Sequence, residues 1–152
     1  MVGLPGRGKT FLCNKLKCYL NWLGHNTKHI NVGQFRRKQK EDREVQTADF
    51  FDSSNAEGIE ARNRALEAAL EEVHTYLATE NGQVVIFDAT NTTESRRQRL
   101  VKEFHGRYQY LFIESVCNDE AVLERNYRFK TMWSPDYKGI DADVAFNDFK
   151  AR

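Results

Sequence analysis

Apolar residues recur every three to four positions in several segments of the chain, a period that predicts amphipathic helices. The first segment ends at Gly24, a helix stop, and the second follows Ser54, whose spacing to Glu57 is that of a capping box. Further helices are predicted over about 94–105, over about 118–128 and from about 141 to the end. The faces expected to be buried carry Leu12, Leu16, Leu20 and Leu23 in the first helix, Ile59, Leu66, Leu70, Val73 and Leu77 in the second, and Leu100, Val101 and Phe104 in the third.

Runs of apolar residues between these segments predict strands. Residues 84–87 are continuously apolar, which is typical of a strand buried on both faces of a parallel sheet. Residues 27–32 and 108–116 predict two more strands, whereas the polar residues 34–47 predict either a loop or a solvated helix. Helices that alternate with buried strands predict an α/β fold with a mainly parallel sheet flanked by helices.

Composition and charge narrow the class of protein. The chain has 152 residues, enough for one domain, and its 40% hydrophobic and 30% charged residues are typical of a soluble globular protein. Cys13, Cys18 and Cys117 lack CxxC spacing and the four histidines are scattered, so neither disulfides nor a protein-held transition metal is expected. With no apolar span, no signal-peptide pattern and a net charge of +1, we expect a cytoplasmic protein with no nucleic-acid and no membrane partner.

The opening residues contain a phosphate-binding motif. Residues 3–10 match GxxxxGK[ST], in which glycines let backbone amides approach phosphate oxygens, Lys9 reaches the β and γ phosphates, and Thr10 ligates Mg²⁺. This pattern predicts a three-layer P-loop NTPase fold that binds ATP with Mg²⁺; the alternative is an ordinary Gly-Pro turn before a helix. Because only Met1 and Val2 precede the motif, where a buried strand is usual, we expect a fragment that lacks most of its first strand.

Asp88 directly follows the apolar run and predicts a second part of the phosphate site. A carboxylate there can act on Mg²⁺ or on the attacking hydroxyl; the alternative is a helix cap. Arginines follow the predicted strands: Arg36 and Arg37 come after the strand over 27–32, and Arg96 and Arg97 come shortly after Asp88. Guanidinium groups suit a substrate phosphate because they bind two oxygens at once and stay charged. The sequence lacks the NKxD element with which a GTPase reads its base, so a GTPase is not expected. The pattern favours a P-loop kinase for a nucleoside monophosphate, a small alcohol or a polynucleotide 5′-hydroxyl, or else a nucleotide-binding module without turnover.

Two longer strings carry a resemblance. Residues 87–93, Phe-Asp-Ala-Thr-Asn-Thr-Thr, and residues 113–119, Ile-Glu-Ser-Val-Cys-Asn-Asp, together with residues 3–10, 19–22, 31–37 and 134–137, resemble the kinase domain of 6-phosphofructo-2-kinase/fructose-2,6-bisphosphatase. The resemblance implies transfer of the ATP γ-phosphoryl group to the 2-hydroxyl of fructose 6-phosphate, with Mg²⁺ as cofactor. It also implies that residues 1–152 are a single kinase domain, truncated at both ends. For the full-length parent it implies two further possibilities, a homodimer and a fused phosphatase domain.

The resemblance also implies roles for individual residues. Catalytic positions would be Lys9, Asp88, Cys117 and Lys130, with Thr10 and Asp88 on Mg²⁺. The sugar phosphate would be held by Arg36, Arg62, Thr90, Arg96 and Arg152. ATP would be held by Gly3, Leu4, Pro5, Gly6, Arg7, Gly8, Lys9, Thr10, Phe11, Asn126, Tyr127, Arg128, Phe129 and Lys130.

This sequence departs from the family pattern at three points. The lysine of the nucleotide segment in the animal bifunctional members falls at Thr131, so Lys130 is the nearest substitute. The chain stops before a tyrosine that helps to bind the sugar, and it contains no Arg-His-Gly motif of the phosphatase. For Cys117, packing at a strand end is an equal alternative to a catalytic role.

Overall fold

The computed structural model describes residues 1–38, 48–52 and 54–151. Strands β1 (Thr27–Asn31) and β2 (Val84–Asp88) pair in parallel, in a register that places Asn31 opposite Asp88. The helices are α1 (Lys9–Trp22), α2 (Val32–Lys38), α3 (Ala48–Phe51), α4 (Ala56–Leu77), α5 (Glu94–Phe104), α6 (Glu120–Trp133) and α7 (Ala142–Lys150), with a 3₁₀ turn at Pro135–Tyr137. The parallel α/β arrangement predicted from the sequence is confirmed.

The sheet lies between two layers of helices because successive strand residues point to opposite faces. On one face Ile86 packs against the fully buried Cys13 of α1. On the other face Ile30 packs against Ala69 and Val73 of α4, joined by Phe104 of α5 and other half-buried side chains. Three layers result, and the carboxyl ends of both strands open at the same edge.

The predicted helices exist, but their buried faces differ in part from the prediction. In α4, Leu66, Leu70 and Val73 are buried as expected, whereas Ile59 is 37% exposed. Leu12 of α1 and Leu23 at its C-cap are 39% and 48% exposed. Cys13 is the residue of this helix that packs on the sheet, with Leu16 and Leu20 beside it. Periodicity identifies the helix, while the angle at which it packs selects the buried stripe.

The start of α4 also differs from the predicted capping box at Ser54 and Glu57. Asn55 is the N-cap, and its side-chain oxygen accepts a hydrogen bond of 2.7 Å from the backbone N–H of Gly58. An asparagine at this position serves as well as a serine. Of the polar stretch 34–47, residues up to Lys38 are helical in α2, and residues 39–47 lie outside the described residues.

The predicted strand over 108–116 is wrong for most of its length. One parallel bridge joins Val2 to Glu114, with the Val2 N–H donating to the Ile113 carbonyl at 2.8 Å and the Ser115 N–H to the Val2 carbonyl at 2.9 Å. Within the described residues, this single bridge is the ladder pairing of the segment. Across the described ranges, no helix combines the length and apolar character needed to cross a bilayer.

Candidate active site

Residues 3–8 form a tight turn between Val2 and α1. Gly3 has a φ of +142°, and a Cβ built on it would lie 2.6 Å from the carbonyl oxygen of Ser115, so this position requires glycine. Gly8 is the N-cap of α1 and is left-handed, with a φ of +82°. A Cβ on Gly8 would have nothing within 4 Å, so the amino end of α1 is accessible to an anion such as a phosphate.

Lys9 and Thr10 begin α1 and meet the carboxylate of β2. Thr10 Oγ1 donates a hydrogen bond of 2.7 Å to Asp88 Oδ2. Lys9 is 8% exposed, and its Nζ donates to the Leu4 carbonyl at 2.7 Å, inside the glycine turn. Burial lowers the pKa of Lys9, and the charge of Asp88 acts in the opposite direction. The phosphate motif and the strand-end carboxylate therefore face the same place, as the sequence predicts.

Asp88 is held as an anion by three donors. It is 2% exposed, and its Oδ2 contacts Thr10 Oγ1 at 2.7 Å, Asn31 Nδ2 at 2.6 Å and His29 Nε2 at 3.1 Å. Burial by itself would raise the pKa of Asp88, but the hydrogen bonds from His29, Thr10 and Asn31 outweigh it and lower the pKa below its ordinary value. The carboxylate is therefore ionised at neutral pH.

The Thr10 and Asp88 oxygens fit a magnesium ion. Mg²⁺ takes oxygen ligands at about 2.0–2.1 Å in octahedral geometry, which separates adjacent ligands by about 2.9 Å. Thr10 Oγ1 and Asp88 Oδ2 lie 2.7 Å apart. The sequence reading overlooked Asn31 and His29 as partners of Asp88. A signal for Asn31 did exist, because a polar residue at the end of β1 meets Asp88 wherever the two strands are parallel and in register.

Arg36 begins a cluster of arginines near the same edge of the sheet. It lies in α2 directly after β1, is 8% exposed, and donates from Nη2 to Asp136 Oδ2 at 2.7 Å. Its guanidinium lies over the rings of Phe51 and Phe50, at 5.0 and 5.7 Å from their centroids. Among the described residues its buried Nη1 has no hydrogen-bond partner. A buried donor without a partner is costly, and an anion placed there would satisfy it.

Arg62 and Arg96 join this cluster from α4 and α5. Arg62 donates to the Phe50 carbonyl at 2.9 Å and to the Asp52 carbonyl at 3.3 Å. Burial lowers the pKa of Arg62, the charge of Asp52 opposes this, and the charge of Arg36 adds to it. The pKa of Arg96 is lowered by burial and then by the charge of Arg62. Like charges from three helices are thus held near one another, an arrangement suited to a phosphate.

Helix α6 packs directly on the glycine turn. Asn126 Nδ2 donates to the Gly6 carbonyl at 3.0 Å. Gly6 has a φ of +73°, and a Cβ built on it would lie 2.2 Å from the ring of Tyr127, so helix and turn touch closely. Two of the residues predicted to line the nucleotide, Asn126 and Tyr127, therefore contact the phosphate loop.

Lys130 lies one turn further along α6. Burial lowers the pKa of Lys130, the charges of Arg37 and Arg36 add to this effect, and those of Asp136 and Asp88 oppose it. The same group interacts with Lys9 of the phosphate motif. A cation in this position can act on a group that moves between the two anion sites.

The family model of 6-phosphofructo-2-kinase matches residues 1–152. The chain belongs to the 6-phosphofructo-2-kinase family. It is 47% identical over 153 residues to the 6-phosphofructo-2-kinase/fructose-2,6-bisphosphatase of Arabidopsis thaliana, covering 100% of this chain and 20% of that relative. It is 45% identical over 155 residues to 6-phosphofructo-2-kinase/fructose-2,6-bisphosphatase 1 of Homo sapiens and 44% identical over 154 residues to the Gallus gallus enzyme, covering 32% of each. The chain thus spans a fifth to a third of these curated relatives.

Membership in the 6-phosphofructo-2-kinase family confirms the resemblance seen in residues 87–93 and 113–119. Thr131, where that resemblance places the lysine of the animal members, is buried, and its hydroxyl donates to the helix carbonyls of Tyr127 and Arg128 at 3.1 and 3.0 Å. The Thr131 side chain is therefore occupied within α6. Lys130 remains the predicted substitute.

Several predicted nucleotide residues point elsewhere. Arg128 donates to Glu124 at 3.2 Å, and its guanidinium lies 4.4 Å from the ring centroid of Phe146 in α7. Phe129 and Phe11 are 66% and 70% exposed. The structure does not bring these side chains onto the glycine turn, and their part in binding ATP stays a prediction.

Thr90 and Arg97 lie beside the phosphate turn. The Thr90 carbonyl accepts a hydrogen bond of 2.9 Å from the Gly3 N–H, which places Thr90 beside the phosphate turn. Arg97 donates to the carbonyls of residues 91 and 92, at 3.1 and 2.6 Å, and so braces this loop. Cys117 is half-buried in the segment that leads into α6, and its catalytic role stays a prediction. Arg152 lies outside the described residues.

Proposed function

We propose that this chain carries a 6-phosphofructo-2-kinase site, which transfers the γ-phosphoryl group of ATP to the 2-hydroxyl of fructose 6-phosphate. The supporting observation is the 2.7 Å contact between Thr10 and Asp88, which joins a phosphate loop to a carboxylate beside a cluster of arginines. Family membership supports the choice of fructose 6-phosphate over other acceptors. The substrates and the pattern of cysteines support a cytoplasmic place of action.

The nucleotide half of the site consists of the glycine turn, Lys9 and Thr10. Phosphoryl transfer asks a protein mainly for in-line positioning and for neutralisation of charge. The turn amides and Lys9 would hold the β and γ phosphates, and Thr10 and Asp88 would hold Mg²⁺. When bound, Mg²⁺ neutralises charge on the triphosphate. Asn126 fixes the turn through its bond to the Gly6 carbonyl, so that the amides keep their direction.

The sugar half of the site consists of Arg36, Arg62 and Arg96. Their guanidinium groups would hold the 6-phosphate, and the buried Nη1 of Arg36, which has no partner among residues 1–38, 48–52 and 54–151, offers a donor to it. The rings of Phe50 and Phe51 lie against the guanidinium groups of Arg36 and Arg62 and limit their motion. These aromatic rings hold the two guanidinium groups in position before the substrate binds.

Asp88 and Lys130 act at the point of transfer. Because the pKa of Asp88 is lowered, the carboxylate is a weak base, and it acts chiefly by accepting a hydrogen bond that orients the 2-hydroxyl. Lys130 offsets negative charge on the migrating phosphoryl group, since its charge acts on Lys9 of the phosphate motif and on Asp136, which pairs with Arg36. Cys117 remains without a defined chemical role in this mechanism.

The test is Lys9→Met, assayed for ATP-dependent turnover of fructose 6-phosphate, with Lys102→Met, an exposed lysine of α5, as the control. Removal of a donor that stabilises the transition state lowers kcat by about 10²–10³. Undiminished turnover in Lys9→Met would show that the assignment is wrong. A parallel screen with nucleoside monophosphates and nucleic-acid 5′-ends tests the acceptor, and ATP binding without any product would indicate a module without turnover.

A further inference from the structure

We propose that Cys13, His29 and Asp88 form a binding site for a thiophilic divalent cation of the zinc class, and that its occupation inhibits phosphoryl transfer. The cation site itself depends only on the geometry of these three side chains. The inhibitory effect rests on the proposed function, because it requires Asp88 to be needed for turnover.

The three side chains come from three elements of the core and converge on one point. The Cys13 sulfur, a ring nitrogen of His29 and a carboxylate oxygen of Asp88 all lie within 4.8 Å of one another. Cys13 and Asp88 are 0% and 2% exposed, and they are carried by α1 and β2, with His29 on β1 between them. A tetrahedral zinc ion has bonds of about 2.3 Å to sulfur and about 2.0–2.2 Å to nitrogen and oxygen, so its ligands lie about 3.3–3.7 Å apart. Shifts of about an ångström would bring these atoms to that spacing.

The hydrogen bonds of His29 fix the orientation of its ring. Its Nδ1 lies 3.1 Å from Asn14 Oδ1, and its Nε2 lies 3.1 Å from Asp88 Oδ2. The ring is therefore held with Nε2 directed at the point where the three side chains converge. A histidine that donates from one nitrogen to a fixed oxygen and turns the other nitrogen to a cation is the usual arrangement of a metal ligand.

The donor set selects the kind of cation. A thiolate, an imidazole and one carboxylate suit zinc and similar ions, whereas Mg²⁺ prefers oxygen ligands and near-ideal octahedral geometry. Burial raises the pKa of the Cys13 thiol to about 12, so the cation has to displace the thiol proton. The S–H bond breaks, the proton passes to solvent, and the thiolate sulfur bonds to the cation. A water molecule can complete the tetrahedron.

Both cation sites use Asp88. Its Oδ2 contacts Thr10 on the magnesium side and His29 on the thiophilic side. One oxygen cannot serve both ions in full, so a zinc-class ion withdraws the carboxylate from Mg²⁺ and from the acceptor hydroxyl. The two ions are therefore expected to compete.

The binding test is a titration of the whole chain with Co²⁺, followed by the thiolate-to-cobalt charge-transfer absorption. We expect this band in the parent chain, displacement of the band by Zn²⁺, and an apparent affinity for Co²⁺ that falls as Mg²⁺ is raised. Cys13→Ser should abolish the band, and His29→Val should weaken cobalt binding at least tenfold. Cys18→Ser, which changes an exposed cysteine of the same helix, is the matched control and should keep the band.

The inhibition test compares turnover of fructose 6-phosphate with and without Zn²⁺, each variant against its own zinc-free rate. Zinc should inhibit the parent and the Cys18→Ser chain, and Cys13→Ser should resist it at least tenfold. Circular dichroism checks that Cys13→Ser is folded, with Cys13→Ala as the second variant. Absence of the cobalt band, or a band that survives in folded Cys13→Ser, overturns the site. A normal cobalt titration without turnover of fructose 6-phosphate overturns the proposed function alone.

Discussion

Substitution of Arg96 by glutamine separates a binding role from a structural one. Among the described residues, the Arg96 side chain has no ion-pair partner, and its pKa is lowered by burial and by the like charge of Arg62. A buried cation beside a like charge lowers the stability of the ligand-free protein. We infer that its role is to bind an anion. We therefore expect Arg96→Gln to weaken the binding of fructose 6-phosphate while leaving the fold as stable as before, or slightly more stable.

The magnitude follows from the contact that is lost. A hydrogen bond between a guanidinium and a phosphate contributes about 1.5–3 kcal/mol. Since about 1.4 kcal/mol corresponds to a factor of ten, KM for fructose 6-phosphate should rise about 10-fold to about 150-fold. The free energy of unfolding should change by less than about 0.5 kcal/mol, as is usual where no stabilising contact is removed.

The assay measures initial rates against fructose 6-phosphate at saturating ATP, and thermal unfolding of the same samples. Arg99→Gln is the matched control, because Arg99 lies on the same helix and pairs with Glu67 at the surface. In Arg99→Gln, KM for fructose 6-phosphate should change by less than about twofold. Its free energy of unfolding should change by no more than about 0.5–1 kcal/mol. An unchanged KM for fructose 6-phosphate in Arg96→Gln, or a loss of stability above about 2 kcal/mol, would refute the reasoning.

Three further predictions concern the loop, the transfer step and the core. Gly3→Ala places a Cβ 2.6 Å from the Ser115 carbonyl, so we expect a lower melting temperature and weaker ATP binding by calorimetry; full ATP affinity would contradict the geometry. Lys130→Met should lower kcat by about 10²–10³ with a smaller change in either KM, and a kcat equal to that of the parent would remove Lys130 from the mechanism. Leu66→Ala, at a fully buried site, should cost about 2–5 kcal/mol in denaturant unfolding, whereas Ile59→Ala, 37% exposed, should cost less than about 1 kcal/mol; equal costs would refute the observed burial.

The helices and the phosphate motif could be predicted because their signals are local. Residues 3–10 by themselves predict a glycine turn that precedes a helix. The positive φ angles of Gly3 and Gly8 agree with this prediction. The meeting of Thr10 with Asp88 was also predictable, since parallel strands open at one edge of the sheet. These inferences need only backbone rules and residue order.

The burial of particular residues was harder to predict. The same leucine period that correctly predicts α1 wrongly buries Leu12 and Leu23, because the angle between helix and sheet turns Cys13 inward instead. The segment 108–116 has strand composition, yet a strand needs a partner along its length, and Val2 offers one at a single residue. The apolar pattern identifies the residues that can be buried, and the packing of the elements determines which of them are buried.

The sequence by itself determined the class of fold, the phosphate loop, the strand-end carboxylate and, through its longer strings, the family. The resemblance already placed Arg36, Arg62 and Arg96 on one phosphate, whereas only the tertiary structure brought Cys13 to His29 and Asp88. That meeting depends on the strand register and on the packing of α1 against the sheet. The physical reason is that backbone conformation follows from neighbours along the chain, whereas side-chain contact depends on close packing between elements that lie tens of residues apart.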